Sequence, residues 1–314
     1  MQTVSYNYPP GSFGPVALPD HCAAIMFAFS TGDSFNGLLQ LAKAPPQIEY
    51  HLIVKKPQLE LLQALLNLLP AKPAVVHVFD HFDNHFTKLI RDANPHLATR
   101  GYGYFPAIRE PGLYNWGHAA FEDRRVNKLG AADIAQIRAH FVSLPKTKEI
   151  PDGTVVLFPN MGTGRLEDDF PWGDLARHIM RGGRHNVVCN VSGKAEYANE
   201  TIPGVEPLQL SQLDLLANFY QKGERLRFVA ARSGVVDLIR LSATRGVVLY
   251  PDKKCWRQHS YFDTYRIGQM FHNLDLAEVP LLASMRGNWL DLVSYYCDNF
   301  LCSSIPDDVF APVA

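Results

Sequence analysis

The chain has 314 residues, 47% of them hydrophobic and 19% charged, with a formal net charge of −1. That length supports two domains with cores of their own, and the near-neutral balance offers no electrostatic footprint for nucleic acid, which is therefore not expected as a partner. Five cysteines (Cys22, Cys189, Cys255, Cys297 and Cys302) match no zinc or redox spacing, the start of the chain lacks signal-peptide features, and no apolar run approaches the ~18 residues of a membrane span. A cytoplasmic location is expected, with peripheral association at the inner face of a membrane left open.

Residues 1–20, rich in Pro, Gly and aromatics, read as an irregular arm. AAIMFAF (23–29) reads as a buried strand: short, apolar and followed by glycine. SFNGLLQLAKA (34–44) predicts a helix weakened by Gly37, YHLIVKK (50–56) a strand, PQLELLQALLNLL (57–69) a helix opened by proline, and AVVHVFD (74–80) a third strand. This β-α-β-α-β order predicts a parallel sheet. NHFTKLIRDAN (84–94) and ADIAQIRAHFVSL (132–144) have helical spacing. The aromatic stretch 102–130 between them reads as loops with short helices.

PKTKEIPDG (145–153) carries two prolines, a glycine and mixed charge, and is the linker candidate. The alternation then restarts: strands at 154–160, 186–192, 226–232 and 246–252, helices at 172–183, 210–223 and 233–246. The expected fold is α/β: two Rossmann-like parallel-sheet domains, at 21–144 and 154–285, facing a central cleft. A C-terminal helix and tail (286–314) is expected to pack back on the first domain.

In open parallel sheets ligands bind beyond the carboxyl ends of the strands, where helix N-termini suit phosphate. Four such places stand out. In TGDSFNG (31–37), Asp33 or Ser34 caps the next helix, or Asp33 faces the cleft as a general base. In PNMGTGRLEDDFPW (159–172), Gly162, Thr163 and Gly164 let a backbone approach phosphate and Arg165 carries charge. In VSGKAEYA (191–198), Ser192 and Lys194 follow a strand, and Glu196 has the chemistry to accept from ribose hydroxyls. In VAARSGVVDLI (229–239), Arg232, Ser233 and Gly234 form a strand-to-helix turn suited to diphosphate, and Asp237 serves the helix N-terminus.

These elements, in this order, resemble the GT-B glycosyltransferases, and within them the lipopolysaccharide heptosyltransferase family. The resemblance runs through Gly32-Asp33, VVLFPNMGTGR, FPWGDLARHI, VVCNVSGKAE, LSQLDLLANFY and FVAARSGVVDLIRLSATRGVVLYP. It covers roughly 154–251, and in the first half only 23–80. It implies a metal-independent transferase with no cofactor, which takes a nucleotide-diphosphate sugar as co-substrate and a glycan or other hydroxyl acceptor. It implies Asp33 as base, phosphate contacts at Thr163, Arg165, Ser233 and Gly234, and a ribose contact at Glu196. The family usually has an acidic or polar residue before its Ser-Gly turn, often with a following His; here Arg232 stands there, and no His follows. Adenine and heptose are therefore not implied.

Three alternatives stay open. HVFDHFDNHF (77–86) gathers His77, Asp80, His81, Asp83 and His85, which suits a metal hydrolase, although His77 in an apolar strand is also the ordinary core histidine. A sugar-nucleotide 2-epimerase and a non-catalytic sugar-nucleotide-binding protein use the same scaffold. On the acceptor side, Asp80, His81 and Asp83 border the cleft, and Tyr104, Trp116 and His118 belong to an aromatic patch suited to sugars or to burial under loops.

Overall fold

The computed structural model describes residues 1–6, 16–27, 31–43, 45–80, 86–100, 108–115, 129–159, 170–181, 185–191, 201–254, 260–265 and 275–301. The first half comprises β1 (Gln2–Tyr6), β2 (Ala23–Met26), α1 (Thr31–Lys43), β3 (Tyr50–Lys55), α2 (Lys56–Leu65), β4 (Val75–Phe79), α3 (Phe86–Ala93), β5 (Thr99–Arg100), β6 (Gly112–Asn115) and α4 (Ala131–Val142). The second comprises β7 (Thr154–Phe158), α5 (Trp172–Met180), β8 (Asn186–Asn190), β9 (Glu206–Leu208), α6 (Gln212–Lys222), β10 (Arg227–Ala231), α7 (Gly234–Ile239), β11 (Arg245–Pro251), α8 (Tyr261–Tyr265), β12 (Leu276–Leu281) and α9 (Trp289–Tyr296). The fold is α/β, with two parallel six-stranded sheets: β1-β4-β3-β2-β6-β5 and β12-β11-β10-β7-β8-β9. Their central strands are buried along their whole length, as in β2 and β7, because helices cover both faces.

Local chemistry explains most boundaries. Ser211 caps α6, its Oγ accepting from the Asp214 N–H at 3.0 Å, and Gly223 ends the helix at φ +50°. At the start of α2 the Gln58 side chain accepts from the Lys55 N–H (2.8 Å). α7 stops after six residues, far short of the helix expected over 233–246. Just beyond it the Ser242 hydroxyl donates to the Ile239 carbonyl at 2.6 Å, a side-chain alternative to the helical ladder.

Several expectations are corrected. The arm is not irregular throughout, since Gln2–Tyr6 forms an edge strand parallel to β4. Tyr6 anchors it by stacking on Phe79 at 4.6 Å and bonding to His77 Nδ1 at 3.0 Å. The stretch expected as loops contains β6, which pairs with β2, and β9 and β12 extend the second sheet. β12 holds Pro280, which is tolerated because the strand lies on the sheet edge. α9 packs on α5 and β12 of the second half, with Trp289 near Phe170 and the Arg227 guanidinium donating to the Leu301 carbonyl, and the tail 302–314 lies outside the described residues. α1 begins at Thr31, earlier than predicted, so Asp33 and Ser34 lie inside the helix and neither is its N-cap. Ser34 is buried, and its Oγ accepts from Gln58 at 2.7 Å.

The two halves share one apolar seam. Phe35 and Leu38 of α1, Leu61 and Leu65 of α2 and Phe141 of α4 belong to the same buried cluster as Leu216, Phe219 and Tyr220 of α6 and Val236 of α7. The Phe141 ring lies 6.0 Å from Phe35 and 4.7 Å from Tyr220. The segment 145–153 is pinned to α6. Asp214 accepts from the Thr147 hydroxyl (2.8 Å) and the Lys148 N–H (3.1 Å), Asn218 accepts from the Ile150 N–H (2.9 Å), and Lys222 pairs with Glu149 and Asp152.

Candidate functional site

Strand order locates the site without reference to any motif. In the first sheet the chain winds from β2 through β3 to β4 on one side, then reappears at β5 and β6 on the other, so the reversal falls between β2 and β6. In the second it winds from β7 to β8 and β9, then returns to β10, β11 and β12. That is the strand order of the doubly wound nucleotide-binding sheet, with its reversal between β7 and β10. In such sheets the crevice for ligand opens beyond the carboxyl ends of the two strands flanking the reversal. Asp33 follows β2, Trp116 and His118 follow β6, Gly162, Thr163 and Arg165 follow β7, and Arg232, Ser233 and Gly234 follow β10.

The two reversals meet. A methyl group built on Gly32 would lie 2.7 Å from the Gly234 Cα and 2.5 Å from Asp237 Oδ2. Only glycine permits that approach of α1 to the β10–α7 turn, and Asp33 is the next residue along. One turn further on, Asn36 Oδ1 accepts from Arg240 Nη2 at 2.6 Å. Beside them Gln212, the first residue of α6, donates to Thr31 Oγ1 at 3.3 Å. Two helices, α6 and α7, thus converge on the start of α1.

The charges at this junction are buried. Arg232 donates to Asp237 Oδ2 (3.0 Å) and Oδ1 (3.1 Å) and to the Ser233 carbonyl (2.7 Å), while Arg240 donates to Asp237 Oδ1 (2.8 Å). Both arginines engage the one carboxylate of Asp237. For Arg232, burial works against the cation, but Asp237 and then Tyr250 and Tyr261 outweigh it and hold the pKa above the ordinary arginine value. For Arg240, burial is the largest influence and Asp237 only partly offsets it. With Arg232 adding repulsion, the pKa falls to about 10. Among the described residues the Arg232 guanidinium clasps Asp237 and the Ser233 carbonyl and so braces the turn.

Some buried polar atoms here have no hydrogen-bond partner among the described residues: Ser233 Oγ, Asn36 Nδ2, Gln212 Oε1 and, at the carboxyl end of β8, Asn190 Oδ1. Such groups cost about 1–3 kcal/mol each unless something else satisfies them, and in native folds they mark places where water or a ligand belongs.

The acceptor-side and metal expectations fare differently. Asp80 follows β4 half-buried and pairs with Lys56 at 3.2 Å. His77 is a core histidine: Tyr6 occupies its Nδ1, and its Nε2 meets His51 Nδ1 at 3.0 Å. Burial, then the neighbouring His51, lowers its pKa to about 4. Among the described residues no group of three or more His, Cys, Asp or Glu side chains could hold a metal. Gly162, Thr163, Arg165, Ser192, Lys194, Glu196, His81, Asp83, His85, Tyr104, Trp116 and His118, and the Asp33 side chain, lie outside what the structure describes.

Sequence reasoning missed Asn36, Gln212 and Arg240. Arg240 had a signal: one arginine three residues after Asp237 in the apolar run VVDLIRL suggests a buried ion pair. The two carboxamides had none, since each becomes informative only when the halves meet.

Among the described residues no helix is long and apolar enough to cross a membrane. No family model matches the sequence, and no curated protein does. Among solved structures, the chain is similar to the crystal structure of a glycosyl transferase family 9 protein from Veillonella parvula. The identity is 15% and the TM-score 0.48, over 92% of this chain and 99% of that one.

Proposed function

We propose that this protein is a glycosyltransferase that moves a sugar from a nucleotide-diphosphate donor to a hydroxyl acceptor, without a required metal, in the synthesis of a surface glycan or another glycoconjugate. One observation carries the proposal. The reversal of a sheet with nucleotide-binding strand order meets, at Gly32 and Gly234, the reversal of a second parallel sheet whose next residue is a carboxylate, Asp33. The buried, unpartnered Ser233 hydroxyl supports an oxyanion as the missing partner at that turn.

In this reading Asp33 takes the proton from the acceptor hydroxyl as its oxygen attacks the anomeric carbon. The bond from that carbon to the diphosphate breaks, and the nucleoside diphosphate leaves. The charge growing on it is met by the N–H groups at Ser233 and Gly234 and by the Ser233 hydroxyl, with Thr163 and Arg165 contributing from the segment after β7. Arg232 acts indirectly by holding the turn. Ser192, Lys194 and Glu196 engage the nucleoside. Asp80, His81, Asp83, Tyr104, Trp116 and His118 line the acceptor side. The enzyme works in the cytoplasm, and an acceptor anchored in a membrane would bring it to the inner face.

A thermal-shift series with nucleoside diphosphates tests the donor half, because a ligand that binds only the native state raises the melting point by mass action. Product analysis by mass spectrometry with the matching nucleotide sugars tests transfer. A rise of several degrees with one base, and a new glycoside from its sugar nucleotide, is expected. An epimerised sugar, or binding without any product, would replace the transferase reading.

A further inference from the structure

The junction between the halves carries two polar contacts that are only half satisfied. Two carboxamides cross it in opposite directions, Asn36 from the first half to Arg240 and Gln212 from the second half to Thr31. Each uses one end across the seam and leaves its other end, Asn36 Nδ2 and Gln212 Oε1, buried with no hydrogen-bond partner among the described residues. Around them the seam is apolar, with Phe35, Phe141, Phe219 and Tyr220 fully or almost fully buried. A contact kept only for stability would be apolar or completely satisfied. A half-satisfied one is weakened when closed and relieved by water when open.

The geometry points to a releasable latch, and we propose that Asn36 and Arg240, supported by Gln212 and Thr31, are positioning residues that seat the first turn of α1 against the Ser233–Gly234 turn. The idea rests on the transferase reading, since what the latch positions is Asp33. With Gly32 seated on Gly234 the two reversals are in contact, and a donor diphosphate needs room between them. The seam therefore opens to admit the donor and closes to bring the base side to it. The pinning of residues 147–150 to Asp214 and Asn218 makes that segment travel with the second half.

The test compares Asn36→Ala, which removes the acceptor for Arg240, with Asn36→Asp, which keeps one. If the latch positions the base, Asn36→Ala lowers kcat at least tenfold with donor KM within threefold of wild type. Amide hydrogen exchange then speeds up in α1 and α7 and is unchanged in the central strands of both sheets. Asn36→Asp keeps at least half of the wild-type kcat. Adding Arg240→Met to Asn36→Ala costs less than twofold more, because both changes cut one contact. Wild-type kcat in Asn36→Ala overturns the proposal. So does faster exchange throughout both sheets, which would mean that Asn36 merely supports the fold. If the wild-type protein transfers no sugar, the transferase reading fails by itself and exchange decides the latch. Faster exchange confined to α1 and α7 in Asn36→Ala supports it, and wild-type exchange there removes it.

Discussion

Replacing Gly32 with alanine probes the contact on which the site depends. The added methyl would lie 2.5 Å from Asp237 Oδ2 and 2.7 Å from the Gly234 Cα. Ordinary contact between such atoms needs ~3.5–4.0 Å, so α1 and α7 must separate by roughly 1 Å. Overpacking of that kind costs about 1–3 kcal/mol. The same separation stretches the 2.6 Å bond from Arg240 to Asn36 out of range, and a buried bond to a charged group adds about 1.5–3 kcal/mol. Alanine's better helix propensity returns about 1 kcal/mol. The net loss is about 1.5–5 kcal/mol, which should lower the melting temperature by roughly 2–8 °C. Scanning calorimetry reads it directly. Gly173→Ala in α5 is the control, because a methyl there meets nothing nearer than Arg177 Nη1 at 3.7 Å; its melting point should equal or exceed that of wild type. If Gly32→Ala melts at or above the wild-type temperature, the seam yields more easily than the packing argument allows and the close approach of the two turns is not what requires glycine.

Asp33→Asn should lower turnover by about 10²–10⁴-fold, the usual contribution of a general base, with nucleoside-diphosphate affinity unchanged; near-normal kcat would remove Asp33 from the mechanism. His77 should make the fold sensitive to acid. Its pKa is depressed in the folded state to about 4, against about 6.5 unfolded, so its contribution is fully present above pH 6.5 and is lost as the pH falls towards 4. The loss amounts to roughly 3 kcal/mol. Melting temperature measured from pH 7.5 to 4 should fall less steeply in His77→Phe, and an identical slope in the two proteins would contradict the burial argument.

Much of the architecture was legible in the sequence. Short apolar runs such as TVVLF and AAIM mark strands covered on both faces, and the caps of α6 follow from Ser211 and Gly223. The order of strands and helices was enough to expect two parallel sheets. Local pattern could also identify which turns follow strands, which brought attention to Asp33, Ser233 and Gly234.

What local pattern could not supply is everything that depends on distant pairing. β1 is a strand because Tyr6 finds Phe79 and His77, and β6 because it completes the edge of β2. The strand order that defines the two reversals exists only once the sheets are assembled. In its strand-to-helix turn Arg232 has no visible partner in the neighbouring sequence. Burial then makes an unpaired charge far too costly, and the carboxylate of Asp237 pairs with it. The sequence by itself determined two α/β halves and the turns worth inspecting. Only the tertiary structure decided that Gly32 must be glycine, because the reason, the backbone of Gly234, lies some two hundred residues away along the chain and in direct contact in space.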